Sequence, residues 1–170
     1  MSRYDRELVK PLWQELAAVG VEPLTSPEAV DQQLSLTEGT TLLVVNSVCG
    51  CAAGSCRPGV ALSLQHAVIP DRLHTVFAGV DLEATQRARE FLKGIPPSSP
   101  SVALFKDGRL VFMLQRTDIE GNQPQSIAQA LQKAYDQTCS RRGPSVTPEQ
   151  FQRTFGSPEP SCGSTFRIKS

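Results

Sequence analysis

The chain has 170 residues, of which 17 are Lys or Arg and 17 Asp or Glu. That length suits one domain with an appendage and buries roughly 70% of the unfolded surface without a disulfide scaffold. Zero net charge gives no basic field for nucleic acid or anionic lipid, and no apolar run approaches the ~20 residues that cross a bilayer.

The N-terminal MSRYDRELVKPLWQEL is charged and has no signal-peptide apolar core, so a cytoplasmic protein is expected. Within it Tyr4, Leu8, Leu12 and Leu16 recur every four residues, with Val9 and Trp13 flanking the same face, which predicts one amphipathic helix ending near Gly20. Ser26-Pro27-Glu28 reads as an N-cap with proline at the first helical position, opening a helix to about Leu36. Thr40 to Ser47 is a nearly continuous apolar run of strand length, as expected of a strand covered on both faces. A helix through Val60, Leu64 and Val68 follows, then a strand from Leu73 to Val80 and a helix from Leu82 to Lys93 closed by Gly94. Ser101 to Lys106 and Arg109 to Gln115 form a hairpin turned by Asp107-Gly108, and Pro124 to Cys139 is a last helix, with Ile127, Leu131 and Tyr135 on one face. Trp13 and Tyr135 are read as core. The order predicts an α/β/α sandwich around a mixed central sheet. From Ser140 the composition turns to Pro, Ser and Gly; Thr147-Pro148-Glu149-Gln150 is a capping box that predicts a helix over about 148–155. Residues 1–139 are thus the expected domain, and 140–170 a tail that wraps it or stays loose.

Between the first strand and its helix stands VVNSVCGCAAGSCRPG, with Cys49, Cys51 and Cys56, three of the chain's five cysteines. In a reducing cytosol such clustering points to catalysis or metal rather than to staples. A reactive cysteine needs its thiolate stabilised, and a strand-to-helix junction puts free N–H groups and the positive end of the helix dipole at Cys49. A second thiol two residues on lies near the upper reach of a disulfide, and Gly50 gives the backbone freedom for closure. The metal alternative rests on the C-x4-C spacing of Cys51 and Cys56. Against it, no C-x2-C pair is present, and His66 and His74 lie outside any matching spacing. His66 is read as a helix cap and His74 is given no role. Arg57 is read as a solvated surface arginine ahead of the alternative that it stabilises thiolate or receives carboxylates of a small-thiol ligand, and Asn46 and Ser47 either as ligand contacts or as turn formers.

The loop Ile95-Pro96-Pro97-Ser98-Ser99-Pro100 precedes a strand and hairpin, where thioredoxin-like folds carry a cis-proline facing their redox cysteines, and Pro100 resembles it. VVNSVCGCAAGSCRPG, VFAGVDLEATQRAREF and PPSSPSVALFKDGRLVFMLQR together resemble the bacilliredoxin family, thioredoxin-like proteins marked by a CGC motif, over roughly Tyr4 to Cys139. The resemblance implies an enzyme that removes bacillithiol, a low-molecular-weight thiol used in place of glutathione, from mixed disulfides on proteins. It makes Cys49 the attacking cysteine and Cys51 its resolving partner, and the fold it implies puts Ser99 and Pro100 at the substrate's sulfur; Gly50 and Asn46, by their place beside the cysteines, complete the expected substrate contacts. Bacillithiol would be the co-substrate, bacillithiolated proteins the partners, and no cofactor would be bound. Cys139 resembles a carboxy-proximal cysteine of the family. Cys56 and the tail with Cys162 depart from its pattern; Cys56 and Cys139 are candidate auxiliary thiols, Cys56 as a competing resolver or a metal ligand. A general disulfide reductase or isomerase, a metal or iron–sulfur protein using Cys49, Cys51 and Cys56, and a non-catalytic adaptor are the competing readings; a homodimer is left open.

Overall fold

The computed structural model describes residues 4–156; Cys162 lies outside them. The elements are α1 (Lys10–Ala17), β1 (Glu22–Pro23), α2 (Pro27–Leu34), β2 (Thr40–Asn46), a π-helical turn (Ala52–Cys56), α3 (Arg57–Ser63), β3 (Val68–Ile69), β4 (Arg72–Phe77), α4 (Leu82–Glu90), β5 (Ser101–Lys106), β6 (Arg109–Leu114), α5 (Arg116–Ile119), α6 (Pro124–Thr138), β7 (Arg141–Arg142) and α7 (Pro148–Phe155).

Five strands form the central sheet in the order β1-β4-β2-β5-β6. β2 is its middle strand, parallel to β4 and antiparallel to β5, and all seven of its residues are buried. That is why TTLLVVN has no polar alternation: each face of the strand meets a layer of helices. On one face Leu42 and Val44 pack with Val60, Leu64, Ile127 and Leu131 of α3 and α6 and their flanks; on the other Leu43 and Val45 pack with Val30, Leu34, Ala84 and Ala88 of α2 and α4. The Asp107-Gly108 turn has positive φ at both residues, 51° and 83°, the backbone a two-residue hairpin demands. Ser26 caps α2 by accepting from the Ala29 N–H at 3.1 Å.

Several expectations need correction. The helix after the cysteines ends at Ser63, so Val68 is not on it; Val68 opens β3, which pairs with β7 across Arg142. α1 is shorter than its four-residue periodicity implied. Pro11 sits in its first turn and has no N–H to give the Glu7 carbonyl, so the helix does not run on upstream; Leu8 is 82% exposed while Leu16 is fully buried. His66 caps nothing: its Nε2 lies 2.8 Å from Asp136 Oδ1. Residues 141–155 wrap the domain. The Ser145 hydroxyl donates to the Val19 carbonyl at 2.6 Å, the Thr147–Gln150 capping box forms, and Phe151 enters the core beside Leu131 and Tyr135.

Candidate active site

β2 delivers the chain to the site through Asn46 and Ser47. Asn46 is fully buried and its amide is spent internally: Nδ2 donates to the Leu12 carbonyl at 3.2 Å, and Oδ1 accepts from Ser47 N–H at 2.9 Å and Arg57 Nη1 at 3.1 Å. Asn46 therefore does not face a ligand; it fixes the strand exit. Arg57, expected at the surface, is 1% exposed. Its Nε donates to Glu15 Oε1 at 2.9 Å and its Nη1 to the Ser47 carbonyl at 3.1 Å, clamping α1, the end of β2 and the start of α3 together.

Cys49 stands just ahead of the helical turn, whose N–H groups at Ala52 and Ala53 meet its carbonyl at 3.1 and 3.3 Å. Its sulfur lies 2.8 Å from that of Cys51 and accepts from the Ser47 hydroxyl at 3.1 Å. Burial alone would push the Cys49 thiol up, but hydrogen bonds from Cys51, Ser47 and the backbone N–H groups of Ala52 and Cys51 outweigh it and hold the pKa below the ordinary thiol value. Cys51 moves the other way: burial, its hydrogen bond to Cys49 and the charge there raise it, against the opposing pull of Arg116. One sulfur of the pair is thus biased to thiolate and the other to thiol, and thiolate is the form that attacks a disulfide. Gly50 opens into solvent: a Cβ there would meet nothing within 4 Å.

The turn from Ala52 to Cys56 is π-helical, with Arg57 N–H bonding the Ala52 carbonyl. Pro58 has no N–H for the Gly54 carbonyl that an α-helix would pair with it, and the widened turn absorbs that mismatch. Cys56 points into the core beside Leu42, Val44 and Val60 and is fully buried; burial pushes its thiol up to about 12. It is a core residue and not an exposed auxiliary thiol. Cys139 caps the end of α6, where burial raises its thiol against hydrogen bonds from Thr138 and Thr40. Thr40 begins β2 and Cys49 follows its end, so the two cysteines are separated by the strand's length, roughly 20 Å at 3.3 Å per residue. Among the described residues no three His, Cys, Asp or Glu side chains gather as metal ligands.

The Ser99-Pro100 peptide is cis, and Pro100 is buried. Ser99 lines a cavity of about 360 Å³ with Cys49, Ser47, Tyr4, Arg89 and Arg116. The two arginines were not anticipated. Arg116 Nη1 donates to the Ser99 carbonyl at 3.1 Å, and the negative charge at Cys51 and Cys49 raises its pKa further. Its signal in the sequence is a cation in the first turn of a helix, where the dipole favours an anion.

A parallel β-α-β half joined to an antiparallel hairpin and closing helix, with a paired thiol at the end of the middle strand, defines a thioredoxin-like thiol–disulfide oxidoreductase. Residues 4–139 match the family described as disulphide isomerase. A bacilliredoxin of Halalkalibacterium halodurans is 49% identical over 136 residues, covering 80% of this chain and 94% of its own. A bacilliredoxin of Salinibacter ruber is 46% identical over 168 residues, covering 91% of this chain and 98% of its own. Among solved structures, the oxidised form of mitochondrial thioredoxin 3 from Saccharomyces cerevisiae is similar with a TM-score of 0.48 and 16% identity, over 71% of this chain and 98% of that one. The chain belongs to the bacilliredoxin family.

Proposed function

We propose that the protein strips bacillithiol from mixed disulfides on other proteins, with Cys49 as nucleophile and Cys51 as resolving cysteine. The observation that carries this reading is the 2.8 Å contact between two sulfurs whose acidities are pushed apart in opposite directions. Cys49 thiolate attacks the bacillithiol sulfur of the adduct, the inter-sulfur bond breaks, and the client leaves as a thiolate that takes up a proton. Cys49 now carries bacillithiol. Cys51, on losing its proton, attacks the Cys49 sulfur and expels bacillithiol, leaving a Cys49–Cys51 disulfide; alternatively a second bacillithiol takes the first and leaves Cys49 reduced. A dithiol or small-thiol reductant then returns the disulfide to two thiols. Bacillithiol enters as co-substrate, and the thiol exchange itself calls for no bound cofactor.

Intact mass spectrometry of wild type, Cys49→Ser and Cys51→Ser after exposure to bacillithiol disulfide tests the order of events. One bacillithiol mass is expected on Cys51→Ser, none on Cys49→Ser, and loss of two hydrogens in wild type. An adduct on Cys49→Ser but not on Cys51→Ser would reverse the two roles. A general disulfide reductase or isomerase would use the same pair; the family's description as disulphide isomerase keeps that reading in play. The cavity beside Cys49 favours the small thiol, because 360 Å³ matches a low-molecular-weight ligand and not a folded client. Equal rates on a bacillithiolated client and on scrambled protein disulfides would favour the isomerase.

A further inference from the structure

Arg89, from the last turn of α4, lines the same cavity as Cys49. It is half buried, and burial alone moves its pKa, downward, the mark of a guanidinium given up by water without a carboxylate in return. Several other arginines are matched. Arg6 pairs with Asp81, Arg57 with Glu15, Arg87 with Asp31 and Glu90, and Arg116 with Glu120. Among the described residues no acid, carbonyl or hydroxyl meets Arg89. The sequence carries the same contrast: Arg87 has Glu83 and Glu90 one helical turn away, whereas Arg89 has Thr85, Gln86, Leu92 and Lys93. An uncompensated, half-desolvated cation in a cavity that opens on a nucleophile is an anion subsite waiting for its charge. Arg116, across the cavity, adds a second positive charge while its Nη1 holds the Ser99 carbonyl.

We infer that Arg89, with Arg116, binds a carboxylate on the non-thiol end of the small thiol, so that the enzyme selects anionic low-molecular-weight thiols over neutral or cationic ones. The inference rests on the proposed attack by Cys49 and adds the substrate's charge class to it. The carboxylate would anchor the small thiol while its sulfur lies against Cys49. Arg89 is then a specificity residue and takes no part in the bond exchange.

The test uses three symmetrical disulfides of similar size: dithiodipropionate, hydroxyethyl disulfide and cystamine, with anionic, neutral and cationic ends. In each, Cys49 thiolate attacks one sulfur, forms Cys49–S–S–R and releases R–S⁻. Adduct formation is timed by intact mass on the full chain carrying Cys51→Ser, and each rate is divided by that of N-acetylcysteine with the same disulfide. The anionic-to-neutral ratio is expected to exceed one and to fall about tenfold in Arg89→Gln. Arg89→Lys should keep most of the preference, and Arg109→Gln, at the exposed hairpin turn, should keep all of it. A ratio that Arg89→Gln leaves unchanged, or a parent protein that prefers the neutral disulfide, would overturn the subsite while leaving the oxidoreductase standing. If none of the three modifies Cys49, the attack itself fails, and the subsite goes with it.

Discussion

Arg57 Nη1 donates to the carbonyl of Ser47 at 3.1 Å, and the hydroxyl of that same Ser47 donates to the Cys49 sulfur at 3.1 Å. A buried guanidinium is therefore one residue removed from the thiolate, and it acts through position rather than through charge on sulfur. Truncating it leaves the Ser47 carbonyl without its donor and one Asn46 acceptor half satisfied, while Glu15, 34% exposed, turns to water. Breaking a buried ion pair costs about 3–5 kcal/mol. Because Glu15 is partly solvated, Arg57→Met is expected to lose about 2–3 kcal/mol in urea unfolding. Its Cys49 should also titrate at higher pH, since Ser47 is no longer held. A stable variant with normal Cys49 titration would show that the clamp does not reach the site.

The Cys49 thiolate owes its low pKa to donors that single substitutions remove. Thiolate reacts with iodoacetamide and thiol does not, so the alkylation rate of Cys49 should rise with pH to a plateau whose midpoint lies below that of a free thiol. Cys51→Ala deletes the strongest of those hydrogen bonds, which destabilises the thiolate and moves the midpoint up; at neutral pH the variant is the slower. Ser47→Ala moves it the same way by less. A midpoint that falls in Cys51→Ala would mean that Cys51 acts on Cys49 as a like charge and not as a donor.

Two glycines near the site respond oppositely to a methyl group. At Gly59 a Cβ would lie 2.8 Å from Ile127 Cγ2 and 2.9 Å from its Cβ, where α3 and α6 touch. At Gly50 it would meet nothing. Overpacking costs about 1–3 kcal/mol, and both Ile127 and the helix it rides on are committed to the core. Gly59→Ala is thus expected to lower the thermal midpoint, and Gly50→Ala to leave that of the reduced protein level or slightly raised, alanine being the better helix former. Scanning calorimetry of the two reduced variants decides it.

The sheet and the position of the paired thiols could be read from the sequence because both are local: an unbroken TTLLVVN must be covered twice, and CGC sits where a strand gives way to a helix. The arginines could not be read in the same way. Whether Arg57 is solvated depends on where α1 docks, and nothing in CRPG says that Glu15, 42 residues earlier, comes to meet it. Arg89 and Arg116 reach one cavity from helices on opposite sides of β5 and β6. Cys56 misled for the complementary reason. Spacing made it a candidate ligand, but Pro58 turns the helix start into a π-turn, and the cysteine goes to the core. The apolar period carries on through His66 and Val68, yet the helix stops at Ser63, because the pairing of Val68 and Ile69 with Arg142 and Arg141 outweighs that fading period.

That same pairing makes the segment after Cys139 part of the fold. Arg142 and Arg141 pair with Val68 and Ile69, Ser145 N–H donates to the Leu64 carbonyl at 2.9 Å, and Phe151 is buried to 6% exposure with its ring 5.5 Å from that of Phe155. These contacts gather at the C-terminal end of α3, whereas Cys49 lies before its N-terminal end. Phe151→Ala should therefore cost ~3 kcal/mol by cavity formation, roughly 6–12 °C in thermal midpoint for a domain of this size. The pH profile of Cys49 alkylation should stay unchanged. A chain ending at Cys139 should be weaker still, because it also loses β7 and the Ser145 bonds. If Phe151→Ala melts with the wild type, α7 is an ornament on the surface; if it slows Cys49, the tail reaches the active site through α3 itself.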